Sequence, residues 1–175
     1  VGLVAIQMAL KAGAIVFATA GSPEKRALLT ALGVPHVMDS RTLAFAEEVM
    51  SLTEGDGGDI VLNSLSGDAI DKSFSVLRAG GRFIEIGKSD IYANRKIGMR
   101  PLRKNVSVFV VDLLGLVEQR PAFASAMFRD IMPRFDGVDV HPIAYRVYPA
   151  GRVVDAFRDM AQSKHVGKLV VSMRD

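Results

Sequence analysis

The chain of 175 residues contains no cysteine. Disulfides and thiolate metal sites are therefore excluded within it, and a reducing, cytoplasmic setting is expected. No apolar run reaches membrane-spanning length, so no membrane association is expected. The net charge is only +3, and no block of Lys and Arg stands behind the basic isoelectric point, so no nucleic-acid surface is expected. His36, His141 and His165 show no metal-ligand spacing, and no metal site is assigned. No internal repeat or low-complexity stretch is present. The chain also lacks an initiating Met and opens inside an apolar helical pattern. We expect a fragment of something longer.

What is present is organised around Asp59 to Lys88. Ile60, Val61 and Leu62 stop at polar Asn63 and Ser64, and Phe83, Ile84 and Ile86 stop at Gly87-Lys88. Between the two runs, Ile70, Phe74 and Leu77 recur at i, i+4 and i+7, which predicts one helix face. Strand, helix and strand in so short a span make a right-handed βαβ unit with parallel strands. Both strands end at one edge of the sheet, where ligands bind in open α/β folds.

The flanking sequence repeats that rhythm. An apolar helix over Val1–Lys11, closed by Gly13, is expected to pack on a sheet. A strand over Ala14–Ala20 leads to Ser22-Pro23-Glu24, the signature of a helix start. A helix follows, then a strand at His36–Met38 and a helix over Thr42–Thr53. Ser89–Asn105 reads as irregular, Val106–Val111 as a strand, and Leu113–Glu118 and Ala122–Phe135 as helices. A turn at Gly137, a strand at Ile143–Tyr148, a helix over Ala150–Ser163 and a strand at Lys168–Met173 complete the chain. The pattern predicts a doubly wound parallel sheet as far as Asp112. The last two strands break the rhythm and are expected in a different sheet.

In a dinucleotide-binding fold, the turn after the second strand faces the adenosine ribose. NAD-preferring sites put a carboxylate there. This chain offers Gly21 and Ser22, with Lys25 one turn on and Arg41 after the next strand. A hydroxyl and two cations suit the additional phosphate of NADP; an ordinary capped helix with solvated cations is the alternative. Gly2 fits the last glycine of a phosphate-binding turn. Asn63, Ser64 and Gly67 stand where groups meet the nicotinamide ribose, or else simply cap the next helix. Leu65 and Gly87 share that edge and are grouped with the cofactor-binding candidates. Lys88 and Asp112 each follow directly on a strand. A cation and a carboxylate there can handle a proton, or make a structural ion pair.

Five stretches occur together in order: Gly21 to Arg26, Asp39 to Arg41, Val61 to Gly67, Gly81 to Asp90, and His165 to Lys168. On these residues the chain resembles the enoyl reductase domains of modular polyketide synthases and of animal fatty acid synthase. These belong to the zinc-free, quinone-reductase-like branch of the medium-chain dehydrogenases/reductases. The resemblance implies NADPH-dependent reduction of the 2,3 double bond of an enoyl thioester carried on acyl carrier protein. It also implies neighbouring synthase domains and a homodimeric parent. It matches Ser22, Lys25 and Arg41 to contacts with the 2′-phosphate, Lys168 to a position near the cofactor, and Lys88 and Asp112 to the proposed proton donors, with water as the alternative donor. It further implies that residues 1–140 are a Rossmann domain lacking its first strand and that 141–175 return to a GroES-like catalytic domain. The missing strand would lie between those at Ala14 and Asp59. We expect no turnover from these residues alone. A stand-alone quinone oxidoreductase and a non-catalytic nucleotide-binding module are the competing readings.

Overall fold

A computed structural model describes residues 1–135, 140–162 and 165–174. Local punctuation sets the first elements. Helix α1 (Gly2–Lys11) gives way to Ala12 and then to Gly13 at φ +76°, the left-handed residue that releases the chain. None of the residues in α1 is buried. Strand β1 (Phe17–Ala20) is shorter than its apolar run. Helix α2 (Pro23–Ala31) starts as expected: the Ser22 hydroxyl accepts from the Lys25 amide at 3.3 Å, and Pro23 occupies the first turn. Gly33, at φ +84°, follows the end of the helix. Strand β2 (His36–Asp39) pairs with β1 in parallel, setting Ala20 opposite Asp39. Helix α3 (Phe45–Leu52) buries Phe45, Ala46 and Val49, a narrower span than Thr42–Thr53.

The central unit forms as strand β3 (Gly58–Asn63), helix α4 (Asp68–Ser75) and strand β4 (Leu77–Glu85), with the strands parallel. One assignment changes. Leu77 does not extend the helix face of Ile70 and Phe74; it opens β4, paired with Gly58. Its burial is complete either way, so the i+7 coincidence conceals the switch from helix to strand. Phe83 stacks on Phe74 with ring centroids 3.9 Å apart, and both join Ile70 and Leu77 in one core cluster. Along β4, Gly81, Phe83 and Glu85 are buried in alternation, as a period of two requires.

The span after Lys88 holds a short helix, α5 (Ser89–Tyr92), and a 3₁₀ turn over Arg100–Lys104. Strand β5 (Ser107–Val110) then pairs in parallel with β4. Helices α6 (Leu113–Gln119) and α7 (Pro121–Ile131) follow.

The described strands up to β5 make two parallel sheets, β1–β2 and β3–β4–β5, with no ladder between β1 and β3. That is the position where the expected first strand would sit. The two sheets nevertheless share a core. Met38 of β2 and Phe45, Ala46 and Val49 of α3 cluster with Ala69 and Val76, and Phe17 and Val61 pack against them.

The chain divides into two compact units, Phe17–Ala126 and Val1–Val16 with Met127–Asp175. In the latter, strand β6 (Tyr145–Pro149), helix α8 (Val153–Ala161) and strand β7 (Lys168–Ser172) form a second βαβ unit. β6 and β7 pair only with each other, a sheet of their own as expected. In the same unit, Gln7 exchanges two hydrogen bonds with the His141 backbone, at 2.8 and 3.2 Å. The turn expected at Gly137 and the helix end expected at Ser163 lie outside the described residues. No described helix is long and apolar enough to cross a membrane.

Candidate functional site

Because each sheet is parallel, the residues after its strands collect at its carboxyl edge. Gly21 follows β1 and Arg41 closely follows β2. A Cβ placed on Gly21 would lie 3.2 Å from Arg41 Nε and 3.4 Å from Ser40 Oγ. The bare glycine thus leaves the Arg41 side chain its path beside the turn. Asp39 shapes this corner: one oxygen accepts from the Arg41 amide at 2.8 Å and the other pairs with Arg26 at 3.1 Å. Arg26 also donates to the Ala20 carbonyl at 3.0 Å, tying the ends of β1 and β2 together. The Asp39 carboxylate is therefore already neutralised, whereas the Arg41 guanidinium lies at the exposed surface beside Gly21.

Ser22 is more committed. Besides capping α2, its hydroxyl helps hold the Glu24 carboxyl below the usual range, after the larger effect of the backbone amide at the helix start. Lys25 is half-buried on the first turn of α2.

A second group forms where β3 and β4 end. Asn63 and Glu85 are partners in the ladder, and both are buried. Asn63 Nδ2 donates to Glu85 Oε2 at 2.6 Å and to the Leu65 carbonyl at 2.9 Å, while Asn63 Oδ1 accepts from the Leu65 amide at 3.3 Å. Glu85 Oε1 accepts from the Gly87 amide at 2.6 Å. Asn63, Leu65 and Gly87 thus form one bonded network, and Ser64 is exposed between two of its members. Further out, the Gly67 amide donates to Asp90 at 3.2 Å, and Arg95 ties the loop to Asp68 at 2.9 Å.

Lys88 and Asp112 meet: the Lys88 ammonium donates to Asp112 Oδ1 in a direct ion pair. Asp112 also caps α6, accepting from the Gly115 amide at 3.3 Å. Gly2 and Lys168 belong to the other unit. Gly2 opens α1, and a Cβ there would meet nothing within 4 Å. Lys168 opens β7, its amide donating to the Ala144 carbonyl at 2.9 Å.

Comparison with known proteins gives this arrangement a context. The zinc-binding dehydrogenase family matches residues 1–129. The X-ray structure of the nucleotide-binding subdomain of the enoylreductase domain of PpsC from Mycobacterium tuberculosis is 41% identical. It superimposes with a TM-score of 0.74, covering 80% of this chain and 78% of that one. The chain belongs to this family of polyketide-synthase enoyl reductases. A phenolphthiocerol/phthiocerol polyketide synthase of Mycobacterium tuberculosis is 44% identical over 176 residues, spanning 99% of this chain. The chain spans only 8% of that synthase. The quinone oxidoreductase of Thermus thermophilus, solved also in complex with NADPH, is 30% identical with a TM-score of 0.78, covering 98% of this chain and 54% of that one. The fold is thus the Rossmann nucleotide-binding fold of these reductases, and the relatives establish a nicotinamide cofactor for the family.

In this member of the family, three site residues carry roles that the sequence alone did not assign: Glu85, Asp90 and Arg95. Glu85 carried a signal. It sits in the apolar run Phe83-Ile84-Glu85-Ile86, and alternation puts it on the buried face with Phe83. A carboxylate at such a position must find donors.

The ion pair has a titration signature. The Lys88 hydrogen bond, followed by the Gly115 amide, holds the Asp112 carboxyl below its usual value. A depressed carboxyl contributes stability above its unfolded pKa of about 3.9, and that contribution is lost as pH falls through the lower folded value. NMR titration should place the Asp112 midpoint below about 3.9 and return it upward in Lys88→Met. A midpoint indifferent to that substitution would remove the pair as the cause.

Proposed function

We infer that this chain is the cofactor-binding part of an NADPH-dependent enoyl-thioester reductase within a polyketide synthase. The observation that carries this reading is Arg41 lying against Gly21, at an edge where Asp39 is taken up by Arg26 and the Glu24 carboxyl by the start of α2. A cation exposed beside a glycine turn favours a phosphate over a bare ribose diol. Ser22 and Lys25 stand on the same turn and would complete the 2′-phosphate contacts. Gly2, by the glycine-turn pattern, and Lys168, by the resemblance, would be further cofactor contacts.

Asn63, Ser64, Leu65 and Gly87 would hold the nicotinamide end. When bound, the nicotinamide supplies the hydride to the β carbon of the enoyl thioester. Lys88 carries the proton that the α carbon needs. Asp112, a carboxylate at neutral pH, orients Lys88 and accepts from it. In this reading no metal takes part; the chain has no thiol ligand, and no described group of three or more His, Asp or Glu could hold one.

The partners are acyl carrier protein bearing the enoyl thioester, the other synthase domains, and a second copy of the parent, all in the cytoplasm. Residues 1–140 would serve as the cofactor domain and 141–175 as the return into a GroES-like catalytic domain. Support for self-association comes from β5, an edge strand exposing Val108, Phe109 and Val110.

The test is to follow NADPH oxidation by the full-length protein carrying this chain, with a crotonyl-type thioester, against NADH. Strong preference for NADPH with thioester-dependent turnover is expected. Equal rates with the two cofactors would remove the Arg41 assignment. The 30% identity to a quinone oxidoreductase crystallised with NADPH favours one rival. Quinone turnover with no response to acyl thioesters would establish it. Failure to bind NADPH in a calorimetric titration would leave a degenerate, non-catalytic module that serves only in assembly.

A further inference from the structure

The Glu85 carboxylate is a buried and doubly bonded charged group. It is only 7% exposed, at the last position of β4. Its two oxygens face two donors. Oε1 takes the Gly87 amide and Oε2 takes the Asn63 side-chain amide, each at 2.6 Å. Asn63 then passes the constraint on, holding both the amide and the carbonyl of Leu65. One buried anion thereby fixes the backbone on either side of the β3–β4 edge. Gly87 shows how close the fit is, since a Cβ there would come within 2.8 Å of Glu85 Oε1 and 3.6 Å of the Ser64 carbonyl.

A buried carboxylate is costly unless its lone pairs are met by donors. An apolar residue at position 85 would fill the same face of the strand without that demand. What only a carboxylate provides is acceptance on both sides. Glutamine has the same shape but one acceptor and one donor. Its NH₂ must face either the Gly87 N–H or the Asn63 NH₂, donor against donor. Turning the Asn63 amide over would set its oxygen against the Leu65 carbonyl, so the network has no alternative arrangement.

We propose that Glu85 is a positioning residue, whose buried carboxylate presets the Ser64-Leu65 and Gly87 backbones for the nicotinamide end of the cofactor. The inference rests on the NADPH-dependent reductase reading given above. The reacting carbon is held near Lys88, the next residue after Gly87. Displacements of about 1 Å at a reacting centre can cost on the order of 10²-fold in rate.

The test uses the full-length protein, with and without cofactor. Without cofactor, Glu85→Gln should speed hydrogen exchange in the peptides spanning Asn63–Leu65 and Ile86–Lys88. Exchange around Ser22–Lys25 should stay as in the wild type. With NADPH and a crotonyl thioester, kcat should fall about tenfold or more, while the KM for NADPH, set largely at the adenosine end, moves less than about threefold. A role in stability alone would lower the melting temperature and leave kcat of the folded enzyme intact. Should Glu85→Gln fail to fold, Glu85→Asp keeps the charge and withdraws it by one methylene. The same split between kcat and KM is then expected. A folded variant with wild-type exchange at both loops and wild-type kcat overturns the proposal. A wild-type protein that does not turn over the thioester overturns the reductase reading instead, and the exchange comparison still decides whether Glu85 holds the two loops.

Discussion

Replacing Arg41 by alanine should raise the KM for NADPH about 10- to 100-fold and leave that for NADH within about twofold, since a hydrogen bond to a charged group contributes roughly 1.5–3 kcal/mol and about 1.4 kcal/mol is a factor of ten. The substitution is clean because the turn does not depend on the lost atoms. The Arg41 amide, which bonds Asp39 at 2.8 Å, survives in alanine, and Asp39 keeps its pairing with Arg26. Ser22→Ala should do less. The Ser22 hydroxyl already serves the α2 N-terminus and the Glu24 carboxylate, so a phosphate gains only a share of it. Salt should narrow the NADPH advantage in the wild type and barely affect Arg41→Ala, because an exposed ion contact is screened. Steady-state kinetics with both cofactors checks all of this. A rise of equal size for NADPH and NADH would mean that Arg41 supports the shape of the turn rather than the third phosphate.

The sequence was legible wherever one residue does a local job. Ser22-Pro23-Glu24 marks a helix start because capping involves atoms only three residues apart. Gly13 and Gly33 mark helix ends because left-handed backbone favours glycine. The strand ends that carry Gly21, Ser64, Lys88 and Asp112 were legible from where apolar runs stop. Leu77 misled because residues that are seven apart on a helix and residues that begin a strand can both turn inward. Pairings across long separations left no trace. Nothing local says that Glu85 will find Asn63 at a distance of 22 residues, or that Arg95 will reach Asp68 across 27. Such partners are set by the parallel register of β3 on β4, which the burial pattern of both strands decides together. The gap between β1 and β3 was legible for a different reason. The family resemblance supplied an order of strands, and the two described sheets separate at that place.

The same register should make Gly57→Ala the most damaging small substitution in the β3–β4 unit, at about 2–4 kcal/mol of stability, with a melting temperature lower by roughly 5–15 °C. Gly57 sits at φ +91°, and a Cβ there would lie 2.4 Å from the Val76 carbonyl oxygen and 3.2 Å from the Arg78 amide. These are backbone atoms and cannot swing away. That same carbonyl accepts from the Gly58 amide at 2.8 Å, the bond that starts the β3–β4 ladder. Gly80 is the control. It also has a left-handed φ, +73°, but a Cβ there meets nothing within 4 Å. Gly80→Ala should therefore cost only the backbone penalty, about 1–2 kcal/mol. The difference between the two variants in chemical denaturation isolates the collision from the dihedral strain. It also connects the start of the strand to the site at its end. If the Val76 carbonyl is pushed aside, β3 loses its first anchor, and the alignment that places Asn63 opposite Glu85 loosens with it. Equal stabilities for the two variants would show that the β3 entry gives way freely, and that the register is held by the pairing and burial further along the strands.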